Sequence, residues 1–443
     1  GAAGLTGPRS GGRDFRDLPQ PGAPPLPPAR ASVLLVVLDT VRAASVSAYG
    51  QAADTTPRLD ALAHEGTLYA DVLTPAPWTV PAHASLFTGL APSRHGAGLD
   101  AAGQVAGLDP GVATLAEVLA GAGYATAGIS ANRAVSAAFG LDRGFRYFES
   151  LATRDRTFAY APIVLRLEKR LPRRLLAQPL GERFPRLSRR AAEINASAAA
   201  WLRRPRPAGQ PFFLFVNYME AHPPYPPAPD GAAEPRRAYE AALRALDRHL
   251  GELIDEVRAQ PGGEEAWIVV TADHGESLGE HGQGHGCIFH HEVLHVPLVV
   301  RPPRSVAAAA RGAVDRRPLT LADVMPLLLE GLGLPRPAGL GGEPARVYRV
   351  AESPLALCAP SAPRRAIQDA RYKLIVTGGD TVGALYDRET DPGELHDVAA
   401  ARPEEAERLR GWLAEWVRSA PAPRVSPPHP DQEERLRAWG YVR

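Results

Sequence analysis

Cysteine is almost missing from this chain of 443 residues, with Cys287 and Cys358 its whole complement. Two thiols cannot build a disulfide framework or a cysteine-rich zinc site; a single bridge is open to them, and we read them as reduced and unrelated. An excess of charge is missing too, with 50 Lys and Arg against 49 Asp and Glu. That balance argues against a chain-wide nucleic-acid footprint, and no nucleic-acid partner is expected. Apolar runs of the ~18–20 residues needed to span a bilayer do not occur. No signal peptide is recognisable in the sequence, and no internal repeat. The compartment is left open; an extracytoplasmic location, periplasmic or membrane-anchored ahead of Gly1, is the favoured expectation.

What is present is a core. Hydrophobic residues make up 45% of the chain, which excludes wholesale disorder. Residues 1–30, ending in "PQPGAPPLPPAR", read as a Pro/Gly-rich linker. The run "ASVLLVVLDT" then suits a strand buried on both faces, and it ends in an acid, Asp39. "TTPRLDALAHEG" reads as a helix with Thr56 as N-cap, Pro57 at its first position and Gly66 as the stop. "VATLAEVLAGAG" is helical, "YATAGIS" and "PFFLFVNYM" are strands, and "RRAYEAALRALDRHLGELIDEVRAQ" is a long amphipathic helix. "AWIVVTADHG" is a further apolar strand ending in an acid, Asp273, and "HVPLVVRPP" another strand. Strands alternating with helices predict a mostly parallel sheet with helices on both faces.

Two regions break this rhythm. Residues 154–206 carry 14 Arg or Lys against 4 Asp or Glu, with apolar residues at helical spacing. We read the span from about 153 to 206 as a basic, solvated helical insertion. A sharper alternative is a lid for an anionic substrate, or a contact with anionic lipid or glycan. After about residue 340, "RRAIQDARYKLIV" and "GALYDRET" read as antiparallel strands joined by the Gly-rich turn "TGGDT". "PEEAERLRGWLAEWVRS" is a terminal helix followed by a Pro-rich tail. Residues 31–340 thus read as the main domain and 341–443 as a smaller C-terminal subdomain and tail.

The chemistry concentrates in a few residues. Asp39 and the pair Asp273-His274 follow strands that can lie side by side, where ligands of α/β sheets gather. Carboxylates with an imidazole suit a divalent cation. "TADHGESLGEHGQGHG" adds His281 and His285 among five glycines, a density rare in a mere connector. His290, His291 and His295 are taken as structural. "PWTVPAHASLFTG" places Thr79 where a helix begins, with Pro81 and His83 in the next turn. A threonine hydroxyl is a poor nucleophile until a metal or base takes its proton. A helix start adds positive charge and free N–H groups for anionic oxygens. Taken alone, Thr79 is simply an N-cap.

Together, these stretches resemble the sulfatase family of the alkaline phosphatase superfamily. "VVLDTVRAASVSAYG", "TPRLDALAHEGTLYADVLTPAPWTVPAHASLFTGLAPSRHG", "TADHGESLGEHGQGHG", "VPLVVRPP", "LYDRETDPGE" and "LRAWGY" follow the family's order of blocks. The resemblance implies a three-layer α/β/α sandwich, with a mostly parallel mixed central sheet and a small C-terminal antiparallel subdomain. It implies one divalent metal ion held by Asp39, Thr79, Asp273 and His274, Ca²⁺ by family, with Mn²⁺ or Zn²⁺ as alternatives. It places Thr79 at the nucleophile position and His83 where many sulfatases carry an arginine. His222, in "EAHPPYPP", and His285 match positions that contact substrate oxygens or the leaving group.

Two departures stand out. Typical sulfatases carry a Cys or Ser, converted to formylglycine, where this chain has Thr79. Thr40 replaces a second acid after the first strand. The resulting set resembles that of phosphoryl-handling relatives such as lipoteichoic acid synthases and phosphoethanolamine transferases. The expectation is a metal-dependent hydrolase of sulfate or phosphate esters acting through a covalent Thr79 intermediate. The alternatives are a phosphotransferase, phosphodiesterase or phosphonate monoester hydrolase of the same superfamily, and a catalytically silent binding module.

Overall fold

The computed structural model describes residues 30–99, 105–150, 189–225, 234–306, 310–338, 340, 347–353, 364–377 and 381–420. The run VLLVVL forms β1 (Val33–Leu38), in which all six side chains are buried. It can be apolar on both faces because it lies inside the sheet. It pairs in parallel with β5 (Phe212–Tyr218) on one side and β6 (Trp267–Thr271) on the other. The other members are β2 (Thr67–Tyr69), β3 (Ala125–Ser130), β4 (Tyr147–Glu149), β7 (Leu298–Arg301) and β8 (Ala313–Asp315). The eight strands run in the order β8-β2-β7-β6-β1-β5-β3-β4. Only β7 is antiparallel to its neighbours, so the sheet is mixed and mostly parallel.

Helices cover both faces. α1 (Pro57–Glu65), α4 (Ala191–Leu202) and α5 (Pro235–Arg258) pack together on one side. α2 (Thr79–Thr88), α3 (Leu115–Gly121) and α6 (Val324–Gly331) pack together on the other. The α1 start confirms Thr56 as the capping position, but its side chain does not cap. Asp247 of α5 accepts from the free backbone N–H groups of Arg58 and Leu59 at 2.8 and 3.0 Å, so α1 is capped by its neighbour.

The C-terminal subdomain is a four-stranded antiparallel sheet, β9 (Arg349–Ser353), β10 (Arg364–Gln368), β11 (Tyr372–Thr377) and β12 (Thr381–Asp387). α7 (Pro403–Ser419) buries Leu409, Leu413 and Trp416 against it. The stretch "RRAIQDARYKLIV" is two strands, because Asp369 accepts from the N–H groups of Arg371 and Tyr372 and turns the chain between them.

Two expectations need correction. Residues 191–202, the end of the supposed solvated insertion, form α4, which buries Ile194, Ala198, Trp201 and Leu202 in the main core. Most of the basic stretch, residues 151–188, lies outside the described residues, as do the linker, the "TGGDT" loop tip and the "LRAWGY" tail. The thiols are not reduced and unrelated: Cys287 is disulfide-bonded. The one other cysteine in the sequence, Cys358, lies outside the described residues.

Candidate active site

Parallel strands deliver their carboxyl ends to one edge of the sheet. Asp39 follows β1, Asn132 follows β3, His222 follows β5, and Asp273 and His274 follow β6. Since β3, β5, β1 and β6 are adjacent, these residues meet. α2 brings Thr79 to the same place. Trp78 holds its N-cap position without a capping side chain, so Thr79 is the first helical residue and its hydroxyl is not spent on a cap.

The candidate metal ligands are buried. Asp39, Asp273 and His274 are fully buried and Thr79 is 1% exposed. One ligand atom from each of Asp39, Asp273 and His274 lies within 4.8 Å of the others. Asp39 Oδ2 accepts from Asn132 Nδ2 at 2.6 Å. Asp273 Oδ1 accepts from the N–H groups of His274 and Thr40 at 2.8 and 3.2 Å. The other oxygens, Asp39 Oδ1 and Asp273 Oδ2, have no hydrogen-bond partner. His274 Nδ1 lies 3.0 Å from the Gly275 carbonyl oxygen and must donate to it, leaving a lone pair on Nε2. That Nε2 lies 3.4 Å from both Thr79 Oγ1 and Asp273 Oδ2. Orphaned buried carboxylate oxygens beside a buried imidazole lone pair are a donor set that fits a divalent cation.

The electrostatics agree. Burial, and then the neighbouring Asp39, push the Asp273 carboxyl well above the usual carboxylate range. Burial pulls His274 well below the ordinary histidine value, with His285 adding to the effect. A cation between them would offset the cost of an ionised Asp273 and would need the neutral imidazole that burial already favours at His274.

Thr40 does not stand in for the missing acid. It sits in the left-handed region at φ 61°, and its hydroxyl lies 2.6 Å from the Ala221 carbonyl oxygen. It therefore braces the loop and offers its N–H, not its side chain, to Asp273.

His83 donates from Nδ1 to the Thr79 carbonyl at 2.9 Å and lies 3.5 Å from Asp273 Oδ2. Its ring sits edge-on to Phe87 and Phe215, and burial lowers its pKa. Its contact with Thr79 is thus through the backbone. His222 donates from Nδ1 to Pro223 O at 2.7 Å, which leaves Nε2 without a partner. Its ring centroid is 5.2 Å from that of His285, which is 4.4 Å from that of His274. His285 pairs with Glu276 Oε2 at 2.9 Å, and its side chain keeps 17% exposure. Burial opposes the His285 cation, but Glu276 outweighs it and the pKa is raised.

The loop after β6 is shaped by close approach. A Cβ on Gly275 would lie 2.1 Å from Glu292 O and 2.8 Å from Arg42 Cβ. Gly275→Ala is therefore expected to destabilise the fold by about 2 kcal/mol or more, read as a lowered Tm with activity falling alongside. An unchanged Tm would show that the loop yields freely. Gly286 N donates to Pro77 O at 2.7 Å, tying the His285 segment to the approach of α2.

All seven site residues expected from sequence sit at this edge. Sequence reasoning missed two neighbours. Asn132 contacts Asp39 and also lies 3.4 Å from Thr79 Oγ1. Its signal was its place just past an apolar strand. Glu276 lies inside the quoted histidine-rich motif but was passed over for the histidines.

The sequence model of the sulfatase family matches residues 31–334. The uncharacterized sulfatase YidJ of Escherichia coli is 24% identical over 448 residues, covering 83% of each chain. Mouse steryl-sulfatase is 28% identical over 413 residues, 72% of this chain and 64% of the relative, so the match spans just under two thirds of that protein. The crystal structure of phosphonate monoester hydrolase from Agrobacterium radiobacter shares the fold at a TM-score of 0.66 and 22% identity, covering 88% of this chain and 96% of that one. The chain belongs to the sulfatase family, a family of ester hydrolases.

Proposed function

We propose that this protein is a metal-dependent hydrolase of sulfate or phosphate esters with Thr79 as its nucleophile. The observation that carries the reading is the position of Thr79 Oγ1, 3.4 Å from the His274 Nε2 lone pair, beside the unpartnered oxygens of Asp39 and Asp273. Asp39, Asp273, His274 and the Thr79 hydroxyl would hold the ion. Two carboxylates, an imidazole and a hydroxyl suit Mn²⁺ or Zn²⁺ by donor chemistry, while Ca²⁺ rests on the family resemblance. When bound, the cation would lower the proton affinity of the hydroxyl and offset the ester's negative charge.

The chain's own groups supply the rest. Asn132 donates to both Asp39 and Thr79 and fixes their relative position. His83 is a positioning residue, holding the Thr79 carbonyl. Thr79 Oγ1 gives its proton to solvent water and forms a bond to sulfur or phosphorus as the ester's bond to its leaving oxygen breaks, and it takes a proton back from water when the adduct is released. His285, kept cationic by Glu276, gives its proton to that oxygen. Neutral His285 then takes a proton from a water that attacks the same sulfur or phosphorus and frees Thr79. His222, with an open Nε2, borders the space beside His285 and contacts an ester oxygen once protonated. A threonine adduct has no second hydroxyl through which to expel sulfate, so Thr79 favours phosphoester chemistry within this class. The Cys287 disulfide fits maturation in an oxidising compartment.

The test is a panel of aryl sulfate, phosphate monoester, phosphate diester and phosphonate substrates. At least one is expected to turn over, to stop on chelation and to resume on adding a divalent cation. Metal-loaded protein that turns over none of them would contradict the reading. The pH dependence supplies a second check. His285 must be protonated to act as acid, so kcat falls as pH rises through its raised pKa. Glu276→Gln removes the group that raises it, and the alkaline limb should move to lower pH. A limb that stays in place excludes His285 as the acid.

A further inference from the structure

A second cluster of metal-ligating side chains lies between the His285 loop and the C-terminal sheet. One ligand atom from each of His281, His290 and Glu292 lies within 4.8 Å of the others. The imidazoles of His281 and His290 are stacked, with centroids 3.7 Å apart and planes 2° from parallel. His281 Nε2 lies 2.8 Å from the Glu394 carbonyl oxygen. A carbonyl only accepts, so that nitrogen carries the proton. In the neutral ring Nδ1 is then a lone pair, yet it lies 2.9 Å from Glu292 Oε1. A lone pair held against a carboxylate oxygen is repulsive unless a positive charge lies on the ring or between the two.

A proton on the ring would answer that one contact and leave the rest of the cluster unmatched. Buried Lys373 is already committed to Glu394, 3.0 Å from both of its oxygens. His291 Nδ1 lies 3.5 Å from Glu292 Oε2, beyond a good hydrogen bond. Two buried atoms of the cluster have no hydrogen-bond partner, His290 Nδ1 and Glu292 Oε2, and Glu292 is 2% exposed. An unpartnered carboxylate oxygen at that depth calls for a cation.

We propose that His281, His290 and Glu292 form a second metal site, for a zinc-class divalent transition-metal ion, separate from the Asp39–Asp273–His274 centre. Two imidazole nitrogens and a carboxylate oxygen are a donor set for zinc, cobalt or nickel, whereas calcium and magnesium prefer oxygens alone. The outer contacts match how metal-bound histidines are held. His281 Nε2 is fixed on Glu394 O, and His290 Nε2 lies 3.2 Å from Tyr386 Oη. Tetrahedral zinc sets its ligands about 3.3 Å apart, so side-chain rotations close the cluster onto the ion. The three ligands belong to the catalytic domain, while Glu394 and Tyr386 belong to the C-terminal subdomain. His285 lies between His281 and His290 in sequence. The ion would therefore clasp the catalytic loop to the smaller subdomain.

The test uses the full-length chain, stripped by chelation and titrated with Zn²⁺ by calorimetry and with Co²⁺ by visible absorption. Wild type is expected to bind two equivalents. Asp39→Asn/Asp273→Asn, which dismantles the first centre, should keep one equivalent, an intense cobalt band and a Tm that rises by several degrees with Zn²⁺. Adding His290→Phe to that variant should remove all three signals. Glu292→Gln, which preserves shape, should weaken binding at least tenfold if His290→Phe proves poorly folded. Retention of the residual equivalent in both variants, or a single equivalent in wild type that vanishes with Asp39→Asn/Asp273→Asn, would overturn the proposal. Because the first centre is absent from the test background, this outcome is independent of the proposed ester hydrolysis.

Discussion

Thr79→Ala is expected to lower kcat/KM by on the order of 10³-fold or more, about 4 kcal/mol of transition-state stabilisation. The fold should survive, and the ion should still bind through Asp39, Asp273 and His274, though more weakly. The reason is local. Thr79 is 1% exposed at the first position of a wholly buried α2, and its hydroxyl makes no cap whose loss would unravel the helix. What disappears is the one oxygen that faces His274 Nε2 and Asn132 Nδ2 together. Thr79→Ser keeps that oxygen and should keep most of the activity, at some cost from the freer rotamer of serine. Steady-state kinetics with metal analysis distinguish the outcomes. Full activity in Thr79→Ala would rule out the nucleophile role.

The second large effect concerns Asp273, and its sign depends on the metal. In the chelated protein Asp273 is fully buried and faces Asp39, and its folded pKa lies well above the value in an unfolded chain. A group with a raised folded pKa contributes stability below the unfolded pKa and loses it as pH rises through the folded pKa. The chelated protein should therefore lose Tm as pH rises beyond the ordinary carboxylate range. Asp273→Asn removes the like charge while retaining a carbonyl oxygen for the N–H groups of Thr40 and His274. The chelated variant is expected to match or exceed chelated wild type in Tm at neutral pH. With the divalent cation added, the order reverses, and activity falls at least about 10³-fold. A variant less stable than wild type in chelator, and equally stabilised by the cation, would mean that Asp273 is structural.

Much of this arrangement was legible in the sequence for a physical reason. Buried parallel strands leave continuous apolar runs, and a charged residue at the end of such a run stands out. Asp39 and Asp273 were visible in that way, and so was the sheet that joins them. Their adjacency is set by β1 pairing with β6 across more than two hundred residues, and it was supplied by the family resemblance, not by periodicity. Asn132 was hidden because its strand is poor in large apolar residues, and an Asn after a strand reads as an ordinary turn. Glu276 was overshadowed by the neighbouring histidines, although its carboxylate is what raises the His285 pKa. Thr40 was read as a lost metal ligand; its positive φ and backbone contacts show a loop brace.

The C-terminal region was less legible. Its strands alternate weakly, and its docking uses contacts distant in sequence, among them an apolar seam of Leu73, Phe289 and Leu294 against Ile375 and Tyr386. Arg349 meets Asp71 of the larger domain at 2.8 Å, and inside the subdomain Lys373 meets Glu394 in full burial. A lone Lys or Glu in a polar stretch gives no sign that it will be buried. The same is true of His281, His290 and Glu292, whose convergence needs the loop after β6 to fold back on itself around Gly275. The thiols were misjudged because two cysteines 71 positions apart carry no spacing signal of their own.

The central claim is that Thr79 takes the sulfuryl or phosphoryl group onto its own oxygen. Rapid acid quench during turnover, followed by peptide mass spectrometry of the 77–89 segment, tests it most directly. A His285→Ala background should slow release of the adduct. The account predicts one sulfuryl or phosphoryl group, on Thr79 and nowhere else, absent from Thr79→Ala and from chelated protein. An active enzyme that shows no adduct on this segment under any quench time, or an adduct on another residue, would contradict it.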